Sequence, residues 1–306
     1  MSEPRPHFFD RPYLLLSLTS LFWAGNIVIG RLVAGDIPPL TLAFLRWAGA
    51  GLIVLPFGWR GLKEDWPVIR KNLPLLATMS ATGIGAYNAI AYWGLAYTEA
   101  LNALLVQSTG PLLIALWGLA LWGDRLTARQ FGGILTSLAG VVVILCRGDF
   151  THLAQLKLNP GDLLTFVALI MYGIYAALLR KRPDIRHTSF LATTVIGGTF
   201  FLAPFVAAEF AFGRHVVATP TTVAILFYVA IFPSLLAFLF FARGVELIGA
   251  NRASPFFHLM PVFGSVIAIL FLGEQPHLFH VVGFALVLSG VFIATRKSAG
   301  PVEIAS

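Results

Sequence analysis

From Tyr13 to Thr295 the chain alternates long apolar runs with short clusters of charge, glycine and proline. The runs are Tyr13–Val33, Pro38–Gly58, Leu73–Leu95, Ala100–Trp122, Arg129–Cys146, Gly161–Leu179, Phe190–Phe210, Thr222–Arg243, Ala250–Leu272 and Leu278–Thr295. A helix that crosses a bilayer needs about 20 predominantly apolar residues, and the runs have about that length. A membrane barrel instead needs strands of about ten residues with apolar and polar positions alternating. These runs are too long and too uniform for that. The pattern predicts an all-α membrane protein of ten transmembrane helices, joined by loops too short to hold a soluble domain. Tyr13–Val33 is longer than the apolar region of a signal peptide and has no clear small-residue cleavage site after it, so it reads as a retained span.

Two distant stretches share one layout. In TGPLLIALWGLALWGDRLT (Thr109–Thr127) and LMPVFGSVIAILFLGEQPH (Leu259–His277), Pro111 and Pro261, Gly123 and Gly273, and Asp124 and Glu274 lie 150 positions apart. The register continues without a gap through Gly94/Gly244, Ala100/Ala250, Ala103/Ala253, Gly133/Gly283, Leu138/Leu288, Gly140/Gly290 and Val141/Val291. This divides the chain into two five-helix repeats, residues 1–150 and 151–306, joined through the longest connection, near 147–160. Five crossings are an odd number, so the second repeat enters the membrane from the opposite side. Asp124 and Glu274 then lie on opposite faces and cannot meet. Each reads as an acid ahead of the next helix, whose N-terminal dipole favours it. Inverted repeats with a site at the midplane between them are a recurring transporter design. Duplication that serves stability alone is the competing reading.

Composition narrows the classes further. Hydrophobic residues make up 58% of the 306 and charged residues 11%, against about 25% charged in a soluble domain. The net charge of +7 suggests cytoplasmic loops rather than nucleic acid, because the basic residues are distributed unevenly. Sixteen of the 21 Lys and Arg fall on the side that would hold both termini, four fall on the other, and Arg46 lies inside the second run. The positive-inside rule puts both termini in the cytoplasm of a multi-pass protein, expected in a bacterial inner (plasma) membrane. Cys146 is the single cysteine, so no intrachain disulfide can form. No nucleophile elbow, HExxH, phosphate loop or metal-spaced Cys/His set occurs. The chain therefore reads as a non-enzyme with no cofactor and no metal.

Polar groups at membrane depth are candidates for function. They are Trp23 and Asn26 in the first run, Tyr87, Asn88 and Tyr92 in the third, Gln107 in the fourth, Tyr172 and Tyr175 in the sixth, and His258 in the ninth. Asn88 and Tyr92 are four apart and Tyr172 and Tyr175 three apart, so each pair shares a helix face. Amide, phenol and imidazole groups among aromatic walls suit a small zwitterion or an aromatic side chain. Hydrogen bonding between helices is the alternative for each of them. The hydroxyls of Ser108 and Thr109 read as bonds to their own helix. Arg46 has two open roles, holding a substrate carboxylate or a structural one in which it snorkels or meets backbone carbonyls. Pro111 and Pro261 cannot donate to the carbonyls of Gln107 and Phe257, which marks both as candidate hinges with a freed carbonyl. No run has an Asp or Glu in its middle.

Leu21–Val33 (LFWAGNIVIGRLV), Phe44–Trp47 (FLRW), Gly94–Ile144 (GLAYTEALNALLVQSTGPLLIALWGLALWGDRLTARQFGGILTSLAGVVVI) and the repeat of the last resemble the drug/metabolite transporter superfamily, EamA type. The likeness spans nearly the whole chain, and order and duplication carry it more than any one motif. Within the superfamily the chain is similar to aromatic amino-acid exporters. The resemblance implies ten helices, inverted five-helix repeats, a central cavity, and alternating-access export of aromatic and other neutral amino acids or similar metabolites. The partners would be a small-molecule substrate and membrane lipid, with the chain a monomer or homodimer. Its small multidrug relatives use an acid in their first helix, where this chain offers only Asn26. That points to facilitated movement rather than a carboxylate proton relay. Carriers of drugs, other metabolites or nucleotide sugars are a second class, and a non-transporting membrane sensor or scaffold a third.

Overall fold

The computed structural model describes residues 7–32, 36–95, 97–98, 100–154, 157–271 and 275–296. Gly273 and Glu274 of the repeated register lie outside them. Among the described residues the regular structure is helical and no strand occurs. In chain order come α1 (Pro12–Leu32), α2 (Pro39–Lys71), α3 (Leu73–Ser80), α4 (Ala86–Leu95), α5 (Ala100–Gln107), α6 (Gly110–Trp122) and α7 (Ala128–Leu145). After the one-turn α8 (Thr151–Ala154) come α9 (Pro160–Leu178), α10 (His187–Ala211), α11 (Pro220–Val229) and α12 (Ala237–Ile248). The one-turn α13 (Ala250–Ala253), α14 (Leu259–Phe271) and α15 (Leu278–Thr295) complete the order.

Among the described residues, eight stretches are long and apolar enough to cross a membrane: Pro39–Lys71, Ala103–Trp122, Ala128–Leu145, Pro160–Lys181, His187–Ala211, Pro220–Ile248, Ala250–Phe271 and Leu278–Thr295. The first and third apolar runs of the sequence are helical in α1 and in α3–α4 but are not among these eight. α2 also outruns the sequence expectation of Pro38–Gly58. It continues through Pro56 and Pro67 to Lys71, and Arg186 pairs with Glu64 and Asp65 along the extension.

The caps explain where several helices begin and end. α6 stops at Gly123, whose φ of 71° is left-handed, a conformation glycine adopts without the Cβ penalty. Thr127 and Gln130 form a capping box at the start of α7, and Asn159 and Asp162 do the same for α9. The sequence assigned the acid before α7 to its N-terminus. The structure gives that role to Thr127, while the Asp124 carboxylate pairs with Arg180.

Breaks inside the apolar helices fall at related positions. A π-helical turn covers Ala81–Gly85 between α3 and α4, and another covers Ala230–Leu236 between α11 and α12. The fourth apolar run breaks at Ser108–Thr109, between α5 and α6. The ninth tightens to 3-10 geometry over Ser254–His258, between α13 and α14. A shift of 150 residues carries each break onto its partner to within a turn.

Neighbour relations follow the same shift. α9 packs on α4 and α6, and α1 packs on α12 and α14; α2 packs on α10 and α7 on α15. The α7–α15 contact brings backbone against backbone. A Cβ on Gly133 would come within 2.6 Å of the Gly290 carbonyl oxygen, and one on Gly140 within 2.7 Å of the Gly283 oxygen. Because Gly133 meets Gly290 while Gly140 meets Gly283, the two helices run antiparallel.

Candidate functional site

The aromatic residues that the sequence placed on separate helices meet in one layer. Tyr172 of α9 is its centre. Its ring centroid lies 5.0 Å from Tyr87, 5.5 Å from Tyr175, 5.5 Å from Phe257 and 5.8 Å from Phe241. Trp23 of α1 closes one side, 5.2 Å from Phe257 and 6.0 Å from Tyr172, and Phe238 of α12 lies 5.8 Å from Tyr175. These are offset and edge-on separations that aromatic quadrupoles favour. Tyr172 is 2% exposed, and its hydroxyl is buried with no hydrogen-bond partner among the described residues. A buried, unpaired hydroxyl costs about 1–3 kcal/mol, so the layer contains an unmet demand for an acceptor or donor.

Not every candidate joins this layer through its polar atoms. Asn88 is buried, and its amide Nδ2 donates to the Ile84 carbonyl of its own helix at 2.6 Å. Asn26, one turn beyond Trp23 on α1, and Gln107, the last residue of α5, are partly buried. Tyr92 lies at the margin, where its hydroxyl accepts from Arg46 Nη1 at 3.1 Å. Arg46 Nε donates to Ser234 Oγ at 2.9 Å, and Ser234 in turn donates to the Val229 carbonyl at 2.7 Å.

His258 acts as a cross-brace rather than a layer residue. Its Nε2 donates to the Ser108 carbonyl at 2.8 Å, and its Nδ1 lies 2.5 Å from Ser137 Oγ. A carbonyl only accepts, so Nε2 carries the ring proton and in the neutral ring Nδ1 accepts from the serine. Ser108 and His258 are 150 residues apart, so the two broken helices are joined at equivalent positions.

Carbonyls exposed by the breaks are taken up by side chains from other helices, as low-dielectric surroundings require. Ser108 O accepts from His258, Pro233 O accepts from Trp23 Nε1 at 3.1 Å, and Phe256 O accepts from Ser20 Oγ at 2.7 Å. The sequence singled out the carbonyls of Gln107 and Phe257 instead. Two of the carbonyls taken up are the immediate neighbours of those singled out, Ser108 next to Gln107 and Phe256 next to Phe257. Pro111 and Pro261 occupy the first turns of α6 and α14, just after the breaks. Ser108 and Thr109 do bond their own helix, through the Leu105 and Val106 carbonyls.

On one side of the layer lies a cavity of about 470 Å³, whose lining includes Trp122, Ala177, Arg180, Arg182, Glu246 and Asn251. Charged groups ring it: Asp124 pairs with Arg180, and Glu246 with Arg182 at 3.5 Å and Arg243 at 3.1 Å. The stretch Pro220–Ile248 orders these features along its axis. Ser234, with Arg46, comes first, then Phe238 and Phe241 of the layer, then Val245 and Glu246 of the cavity.

Two buried carboxylates were not among the sequence candidates. Glu209, near the end of α10, accepts from the backbone N–H groups of Leu40 and Thr41 at 3.2 and 2.8 Å. Asp162 accepts from Asn159 N and from Thr98 Oγ1. Both lie at helix N-termini, where the dipole favours a negative charge. Phe238, Phe241 and Phe257 were missed as well; a spacing of three between the first two was the available signal.

The chain is similar to an uncharacterized transporter of Archaeoglobus fulgidus, 30% identical over 94% of this chain and 98% of that one. A probable terminal-alkyne amino-acid exporter of Streptantibioticus cattleyicolor is 27% identical, with 93% of each chain covered. A solved structure titled only as the crystal structure of a protein superposes with a TM-score of 0.74 at 20% identity, covering 93% of this chain and 97% of that chain. It shares the fold. The model of the EamA-like transporter family matches twice, over residues 11–146 and 159–296. With both halves of its helical body matched and transporters as its relatives, this non-enzymatic membrane protein belongs to the EamA-like transporter family.

Proposed function

We propose that the chain exports neutral amino acids, aromatic ones among them, by alternating access between two inverted halves that together cross the membrane ten times. The observation that carries this reading is the aromatic layer around the unpartnered Tyr172 hydroxyl, with open space at about 470 Å³ on one side of it. Trp23, Tyr87, Tyr172 and Tyr175 supply rings for an apolar side chain and a hydroxyl for its polar end. Asn26, Asn88, Tyr92, Gln107 and His258 complete the set of residues proposed to bind or frame the substrate.

The inversion is supported by the contact geometry. If a two-fold axis in the membrane plane relates the halves, the equivalent helices α7 and α15 must cross antiparallel. A contact between Gly133 and Gly290, the equivalent of Gly140, must then be matched by one between Gly140 and Gly283. The glycine contacts have that order. The breaks at Ser108–Thr109 and Ser254–His258, next to Pro111 and Pro261, give each half a bending point, since mid-helix 3-10 turns often mark hinges. We place the cavity lined by Arg180 and Arg182 on the cytoplasmic side, with both termini, and the protein in the inner membrane.

Liposomes that contain the purified protein and labelled Phe, Met or Thr test the reading. Saturable release of at least one is expected. Release of all three at the rate of protein-free liposomes would sink it.

A further inference from the structure

We propose that Arg46 binds the carboxylate of the transported molecule, at a two-donor site formed with Tyr92. The proposal rests on the transport reading above and names the chemical group by which that site recognises its substrate.

Among the described residues Arg46 is the one buried Lys or Arg, at 5% exposure. It sits seven residues into α2, within a stretch apolar enough to cross the membrane. Its guanidinium has five N–H donors, no acceptor, and a permanent charge. Each of its contacts is neutral. Nε donates to Ser234 Oγ, Nη1 donates to Tyr92 Oη, and Cζ lies 5.1 Å from the Trp47 ring centroid. Nη2 makes no hydrogen bond among the described residues, and no ion pair within 4.0 Å includes this arginine.

Arg252 also meets neutral groups, the Thr295 carbonyl and the Tyr13 hydroxyl, but it is only half-buried. Arg180, Arg182, Arg186 and Arg243 each face an acid. The buried acids Glu209 and Asp162 are engaged at helix N-termini. Arg46 is therefore a charge at membrane depth without a counter-charge among the described residues, in a setting where ionisable side chains pair or mark a substrate path. A carboxylate supplies the missing charge. Its two oxygens match the guanidinium fork. Tyr92, which accepts from Nη1, keeps its own O–H proton to donate to the same group. Tyr87, five residues earlier, extends from this point into the aromatic layer. A molecule held by its carboxylate at Arg46 would lay an aryl side chain against Tyr87 and Tyr172.

Isothermal titration of the full chain in lipid nanodiscs tests this with three probes: L-phenylalanine, 3-phenylpropanoate and L-phenylalaninamide. Charge-assisted hydrogen bonds of this kind carry roughly a tenfold to hundredfold effect. The two carboxylates should bind at least about tenfold tighter than the amide. Arg46→Gln should remove that difference, while Arg46→Lys keeps part of it. The wild-type series needs no variant, so a misfolded Arg46→Gln leaves the test intact. Binding of 3-phenylpropanoate without phenylalanine would overturn the amino-acid reading and uphold the carboxylate site. Phenylalanine and its amide binding equally would overturn the site and uphold the amino-acid reading. Binding of neither carboxylate would overturn the site.

Discussion

Gly133 and Gly290 face each other so closely that a Cβ on either would lie 2.6 Å from the other's carbonyl oxygen. The pair fixes the α7–α15 crossing. Contacts this short leave no space for even a methyl group, so the two backbones touch, as small residues permit in membrane bundles.

Gly290→Val should therefore lower stability by about 1–3 kcal/mol, the usual cost of overpacking. Gly132→Ala is the control, since nothing lies within 4 Å of the position its Cβ would take. Thermal unfolding midpoints in one detergent read the difference. Equal midpoints for the two variants would mean that the crossing is not held by this contact.

Tyr172→Phe separates function from structure. Its hydroxyl has no partner among the described residues, so its loss should leave stability unchanged or raise it by up to about 1–3 kcal/mol. The same change should weaken substrate binding measurably if the hydroxyl meets the substrate. A variant of undiminished stability that also transports like the wild type would remove Tyr172 from the binding set.

His258→Ala should leave the Ser108 carbonyl and the Ser137 hydroxyl without this partner. The expected loss is about 1–3 kcal/mol of stability together with slowed transport, because the brace joins the two broken helices. His258→Gln keeps an N–H donor and should recover part of both. Transport lost equally in the two variants, with stability unchanged, would make the imidazole a substrate contact instead of a brace.

The helical runs and the repeat were legible because both are patterns of many residues. Apolar length marks a crossing helix, and a register of glycines and prolines persists over tens of positions. The extension of α2 to Lys71 was not legible, because Trp59–Asp65 mixes charged and aromatic residues in a way that reads as a loop. Within the site, the spacing of Tyr172 and Tyr175 gave one face of the aromatic layer. Phe238 and Phe241 did not stand out, since a phenylalanine in an apolar run looks the same whether it meets lipid or core. Asn88 shows a different limit. Its amide turns back to its own helix, a local bond that competes with longer-range roles and leaves no trace in spacing. The sequence left Arg46 with two open roles; the neutrality of its partners favours one of them.

Counterflow in proteoliposomes tests the central claim most directly. With unlabelled phenylalanine inside and a trace of labelled phenylalanine outside, a carrier that opens to one side at a time exchanges the two. The account predicts that internal label rises transiently above its equilibrium level and then falls, with no imposed pH gradient. A monotonic approach to equilibrium, or no uptake beyond protein-free liposomes, would contradict it.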